Sequence, residues 1–278
     1  MTILVTGASG FLGRNLVRHF AAAHPDKKIV PLDLNELDIR DRSACFKLLK
    51  QIQPTHLIHA AAVTFAEDPE AVRAANFHGA VNVLEASGPL QRAVFLSSSA
   101  VYGPPDGLPC NEDHALNPVG AYAIAKRDAE QLPMIVARIG PVYGPFEHPS
   151  ASRPRTSLIH QLLTALREKR TLRITGTDIH RDWTHAADIA SALDSLLFAP
   201  KLNHRIYNVS AGQSISAREI IALFAERGLK VCWTPDNADI VLDERDSRSP
   251  LIIDRLRQDT GFRPRFSIYD RIQPLLHL

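Results

Sequence analysis

The stretch "TGASGFLG", residues 6–13, limits the fold more than any other part of the chain. It joins "TILVT" (2–6), a short apolar β-rich run, to "FLGRNLVRHFAAA" (11–23), where Leu12, Leu16, Val17 and Phe20 recur on one helical face. Gly7, Gly10 and Gly13 let the backbone turn tightly and approach a diphosphate. The helix that follows offers unpaired N–H groups and a favourable dipole. A purely structural turn could use the same glycines. Their place at a strand-to-helix junction favours the ligand-cradling reading.

The rest of the first half repeats that alternation. Strands are expected at 28–33, 55–61, 92–98 and 134–139, and helices at 40–52, 68–87 and 118–131, the last opened by Pro118. Apolar strands alternating with helices predict a parallel sheet covered on both faces, a Rossmann-like doubly wound α/β fold. After Gly140, four prolines (Pro141, Pro145, Pro149 and Pro154) mark an irregular segment. A helix near 156–168, a strand near 171–175 and a helix near 186–198 follow. "RIYNVS" (205–210) reads as a strand returning to the first sheet. Residues 211–278 hold two or three helices and the strand "KVCWT" (230–234). The expected division is a dinucleotide-binding domain, 1–140 plus 184–210, and a smaller, discontinuous substrate domain, 141–183 plus 211–278.

Composition narrows the function classes. Of 278 residues, 45% are hydrophobic, enough for a packed core. A net charge of +2 with mixed signs gives no reason to expect nucleic-acid or membrane partners. No apolar run is long enough to span a bilayer, and no signal peptide is recognised. Cys45, Cys110 and Cys232 lie far apart, as reduced thiols of a cytoplasmic protein would. The histidines show no metal-ligand spacing, so no metal site is expected.

Asp33 ends the second strand about 20 residues after the glycines, where an acid can bind both ribose hydroxyls of an adenosine. Its charge would repel a 2′-phosphate, which favours NAD over NADP. In "YAIAK", Tyr122 and Lys126 stand at i and i+4 and share one helix face. An ordinary amphipathic turn would look the same in isolation.

Taken in order, these motifs resemble the short-chain dehydrogenase/reductase superfamily, in its extended branch of nucleotide-sugar epimerases and dehydratases. "TGASGFLG" matches that branch's TGxxGxxG, with Phe11 and Leu12 among the cofactor-binding positions. "LDIRD" (37–41) implies that Asp38 and Ile39 touch adenine, and "HAAA" (59–62) that Ala60, Ala61 and Ala62 line the pyrophosphate. Asn76 matches the branch's asparagine. "FLSSSAVYG" (95–103) resembles the strand carrying the catalytic hydroxyl, implying Ser98, with Ser99 and Thr64 as substrate contacts. "RIGPVYGP", "RDWTHAADIA" and "YNVSAG" fit the second half, and Arg181 is the arginine of the "RD" pair.

The resemblance implies a mechanism. Tyr122, whose free pKa would be roughly 10, is expected to be lowered by the Lys126 ammonium and by a positive nicotinamide ring. It would take a proton from a substrate hydroxyl while hydride leaves the same carbon. Lys126 would also hold the nicotinamide ribose, and Ser98 the reacting oxygen.

The chain also departs from the pattern. Ser99 and Ala100 stand where dehydratases carry an acidic pair, which argues against dehydration. Pro141 stands where an asparagine contacts sugar diphosphates, which argues for a smaller sugar-like substrate. Arg153 and Arg155 could join Arg181 in the cleft or lie in a solvated loop, and His180 and His185 read as structural. The implied homodimer, through the helices at 68–87 and 118–131, is weakened because Pro133 cuts the second helix short.

The expected function is NAD-dependent oxidation or epimerisation at a secondary alcohol of a sugar, sugar acid or nucleotide sugar. Two alternatives stay open: a nucleotide-sugar 4-epimerase resembling UDP-glucose 4-epimerase with tightly held NAD, and a non-catalytic NAD(P)-binding sensor or scaffold.

Overall fold

The computed structural model describes residues 1–151 and 153–270. In chain order the first half holds β1 (Thr2–Thr6), α1 (Phe11–Ala23), β2 (Lys28–Leu32), α2 (Arg42–Ile52), β3 (His56–His59), α3 (Pro69–Arg73), a π-helical turn (Ala74–His78), α4 (Gly79–Ala86), β4 (Arg92–Ser98), a 3-10 turn (Ser99–Tyr102), α5 (Ala121–Ala129) and β5 (Ile135–Ile139). The second half holds β6 (Val142–Tyr143), α6 (Leu158–Arg167), β7 (Leu172–Gly176), β8 (His180–Arg181), β9 (Thr184–His185), α7 (Ala186–Phe198), β10 (Ile206–Val209), β11 (Ile215–Ser216), α8 (Ala217–Ala225), β12 (Val231–Trp233), β13 (Ile240–Leu242) and α9 (Asp254–Thr260).

Among the described residues, six strands form the main sheet in the order β10-β5-β4-β3-β1-β2, and every pair is parallel. "RIYNVS" does return to it: β10 pairs with β5, Tyr207 opposite Ala137. Side chains alternate across the sheet as a pleated strand requires. Ile3 and Val5 pack with Leu16 and Phe20 of α1 and with Ile189, Leu193 and Leu196 of α7. Leu4, between them, packs on the other face with Cys45 and Leu49 of α2 and Val83 of α4.

A second core lies in the C-terminal half, where Leu162 of α6, Ile174 of β7, Ile220 and Phe224 of α8 and Leu242 of β13 come together. Small sheets serve it: β12-β7-β13, β11-β8 and β6-β9. Ile253, Leu256 and Phe262, around α9, pack instead on the main sheet. This tail was expected to belong with the smaller unit. Residues 271–278, included in the same expectation, lie outside the described residues.

Two expected helices differ in the structure. The helix at 68–87 is interrupted by the π-turn at Ala74–His78. The helix at 118–131 begins only at Ala121, because Gly120 before it has φ of +84°, outside helical geometry.

Candidate active site

The strand order reverses between β1 and β3, so a crevice opens beyond their C-terminal ends. The loops there touch closely. Gly7 has φ of +68°, and a Cβ on it would stand 2.7 Å from the Ala61 backbone. A Cβ on Gly13 would stand 2.0 Å from the Gly7 carbonyl oxygen. Both glycines are therefore required by the fold itself. Gly10 is different: its Cβ would meet only that carbonyl, at 3.2 Å. It is the N-cap of α1, supplies no side-chain cap, and is followed by no acid in the first turn. Phe11 and Leu12 open that helix. A diphosphate would supply the acceptors that the first amides of α1 lack, so these residues fit the coenzyme that the motif implies.

Asp33 sits just past β2, and its carboxylate accepts from Ser9 N (2.8 Å) and Leu34 N (2.7 Å). Burial works against its ionisation, but these hydrogen bonds outweigh it and its pKa lies below the ordinary value. The acid thus ties the glycine loop to the end of β2. Asp38 pairs with Arg40, at 2.6 Å in the shortest contact. Ile39 packs under Gly79, where a Cβ would collide with its side chain at 2.6 Å. Ala61 N donates to Thr6 Oγ1 at 3.3 Å. Asn76, buried in the π-turn, clamps Val63 by both backbone groups at 2.8 Å. Thr64 is exposed one residue further on.

Ser98 ends β4 and caps the 3-10 turn by accepting from Ala100 N at 3.2 Å. Its hydroxyl also acts on the Tyr122 phenol, whose pKa it lowers. One helical turn later, the Lys126 ammonium lies 5.9 Å from the Tyr122 ring centroid and 4.6 Å from that of Phe95. It donates to the Leu96 carbonyl at 2.7 Å. The serine, tyrosine and lysine predicted from sequence are therefore one cluster.

Their ionisation differs from expectation. Burial raises the Tyr122 phenol, against which the Ser98 hydroxyl and the charge of Arg153 both act. The expected lowering by Lys126 is absent, because that lysine is itself desolvated. Burial pulls its pKa down to about 7, with Glu130 opposing. Nearby, His59 is wholly buried, 2.9 Å from Thr6 Oγ1 and stacked on Phe95. Burial, then the charge of Lys126, lowers it to about 3.

Behind the cluster runs a buried polar network that the sequence reading missed. Glu130 accepts from Ser97 Oγ (2.6 Å) and from Arg138 (2.7–3.2 Å). Arg138 reaches the Tyr102 hydroxyl at 3.0 Å, which donates to Asn208 Oδ1 at 2.6 Å. Asn208 N donates to Glu112 Oε1 at 2.8 Å. One signal was in the sequence: Tyr122, Lys126 and Glu130 repeat at four-residue spacing, so the acid falls on the active face.

The arginines separate. Arg181 donates to the Asp246 carbonyl at 2.6 Å, above Trp183. Arg153 stacks on Phe11, with its Cζ 4.9 Å from the ring centroid, and donates to Glu147 at 2.6 Å. Arg155 is exposed. Ser99 is buried and lines a small hollow with Tyr102, Cys110, Arg248 and Ser249. His185 caps α7, accepting from Ala187 N at 3.2 Å, while His180 is exposed. Pro141 uses its carbonyl to accept from Thr184 N at 2.8 Å.

This crevice and its hydroxyl-ammonium cluster define an extended short-chain dehydrogenase/reductase. Residues 3–210 match the model of the NAD dependent epimerase/dehydratase family, and the chain belongs to that family. It is 28% identical to GDP-6-deoxy-D-mannose reductase of Pseudomonas aeruginosa, over 99% of this chain and 95% of that protein. It is 26% identical to dTDP-D-glucose 4,6-dehydratase of Mus musculus, over 95% and 84%. Among solved structures, it resembles UDP-glucose 4-epimerase of Thermus thermophilus in complex with NAD, with a TM-score of 0.81, 25% identity, and 100% and 98% of the two chains covered. It also resembles RMD from Pseudomonas aeruginosa complexed with NADPH, with a TM-score of 0.83, 26% identity, and 100% and 99% covered.

Proposed function

We propose that this protein catalyses reversible hydride transfer between a nicotinamide coenzyme and a secondary alcohol carbon of a carbohydrate. The observation that carries the reading is the convergence of the Ser98 hydroxyl, the Tyr122 phenol and the Lys126 ammonium, the last 5.9 Å from the Tyr122 ring centroid. A bound coenzyme supplies the hydride acceptor or donor. Ser98 orients the reacting oxygen, and Tyr122 takes its proton during oxidation and returns one during reduction. Lys126, able to gain or lose a proton near neutrality, stands one helical turn from that phenol and would hold the nicotinamide ribose. Gly10, Phe11 and Leu12 receive the diphosphate. Asp38, Ile39, Ala60, Ala61, Ala62 and Asn76 line the coenzyme path. NAD is favoured by Asp33.

The substrate class is a nucleotide-linked or free sugar derivative. Relatives whose names carry GDP, UDP and dTDP sugars support the first form, and Pro141 the second. Thr64, Ser99 and Arg181 are assigned to its side of the cleft. Ser99 and Ala100 offer no carboxyl acid, so elimination of water is not part of the reading, although a dehydratase is among the relatives. We keep the two-domain division at 1–140 plus 184–210 and 141–183 plus 211–278, except that α9 packs with the first unit. A homodimer through 68–87 and 118–131 would cover Ile124, which is exposed on α5. Light scattering should then give the mass of two chains, and a mass of one chain would contradict it.

Incubation with NAD or NADP and a panel of sugars, uronates and nucleotide sugars tests the function. Stoichiometric reduced nicotinamide means net oxidation, and product without it means epimerisation. Coenzyme binding without turnover of any panel member would favour a sensor.

A further inference from the structure

We infer that Arg153 is a preorganised diphosphate anchor of the cleft, gripping an anionic oxygen between Phe11 and Tyr122. The inference rests on the proposed function, since it assigns one more residue to the same site.

Three observations support it. First, the guanidinium is fixed. One nitrogen, Nη2, donates to Glu147 Oε1 at 2.6 Å. The Glu147 side chain is only 1% exposed and is itself held by Ser157 N at 2.7 Å and Ser157 Oγ at 2.6 Å. Second, the other terminal nitrogen, Nη1, is buried and has no hydrogen-bond partner among the described residues. Such a donor has given up water and received nothing in return, an arrangement that natural structures seldom keep without a use. Third, the location is that of the coenzyme path. Arg153 lies over the ring of Phe11, the first residue of the uncapped helix α1, and its charge is felt at the Tyr122 phenol.

The irregular segment is tied to the same helix. Asn15 Nδ2 of α1 donates to the Pro145 carbonyl at 2.9 Å. Segment and glycine loop would thus form a two-sided grip, with backbone amides on one side and Nη1 on the other. Nη1 carries two N–H groups, so this end of the guanidinium can donate to an anion while Nη2 holds Glu147. Two compounds could present that diphosphate: the dinucleotide coenzyme or a nucleotide-linked sugar.

The test uses the full chain carrying Arg153→Met, beside Arg153→Lys, with circular dichroism to establish folding. Affinities for NADH, UDP, GDP, AMP and inorganic pyrophosphate are measured by titration. If the coenzyme is the source, Arg153→Met weakens NADH by about tenfold or more and leaves AMP unchanged. If the substrate is the source, UDP or GDP weakens by a similar factor and NADH does not. Arg153→Lys recovers only part of either loss. A native chain that binds pyrophosphate but no dinucleotide, with pyrophosphate binding lost in Arg153→Met, supports the anchor and removes the coenzyme reading. Folded variants whose NADH, UDP, GDP and pyrophosphate affinities all stay within about twofold of the native chain overturn the anchor while leaving the coenzyme reading intact.

Discussion

At Asp33, the proposed choice between two coenzymes rests on one carboxylate. Its oxygens already accept two backbone N–H groups, which keep it ionised and fixed at the end of β2. A fixed anion there welcomes ribose hydroxyls and repels a 2′-phosphate. Asp33→Ser should weaken NAD binding by about tenfold and narrow or reverse the preference over NADP, as read by titration of both. An unchanged ratio of the two affinities would place the adenosine elsewhere. Tyr122 and Lys126 were legible as a pair because four-residue spacing fixes them to one helix face. Their proton affinities were not legible. Desolvation depends on what covers a group: burial raises the Tyr122 phenol and lowers the Lys126 ammonium.

Among the elements, α5 carries the proposed proton-transfer pair, Tyr122 and Lys126, within nine residues. It starts late because Gly120 takes a positive φ and ends before Pro133. Its lysine makes the element sensitive to pH. Lys126 is lowered from 10.5 to about 7. Between those values the unfolded chain holds a proton that the folded chain has lost, so stability at this site rises with pH across the window. The whole penalty is felt below pH about 7. Lys126→Met should therefore gain melting temperature relative to the native chain as pH falls from 10 toward 7, while turnover is lost. A difference that does not vary with pH would show that the ammonium is better solvated than its surroundings imply. The six main-sheet strands and most helices were readable from apolar period and breakers. The π-turn at Ala74–His78 was not, since it follows from Asn76 clamping Val63 across 13 positions. The short strands β6, β8, β9 and β11 were equally invisible, because two-residue ladders leave no periodicity.

Over the whole molecule, the buried network joins the proposed active face to the segment that leads into α9. Glu130 at the C-terminal end of α5, Arg138 in β5, Tyr102 beyond β4 and Asn208 in β10 form one connected set. Asn208 also donates to the carbonyls of Cys110 and Ile252 at 3.0 Å, so the C-terminal segment is fastened to the same strands. Arg138 and Glu130 side chains are each 3% exposed. Removing one partner leaves the other charge buried alone. Arg138→Met should thus destabilise the fold by about 3–5 kcal/mol, a fall of roughly 10 °C in Tm. A fall of only a degree or two would show that the network is dispensable.

All of the proposed chemistry depends on Tyr122 moving the proton in a reaction whose hydride goes to or from a bound nicotinamide. Tyr122→Phe keeps the ring and removes only the hydroxyl. With a substrate identified from the panel, single-turnover hydride transfer in this variant should fall by about 10²–10⁴-fold, with coenzyme affinity within about twofold of the native chain. Hydride transfer at the native rate, with coenzyme bound as before, would refute that role.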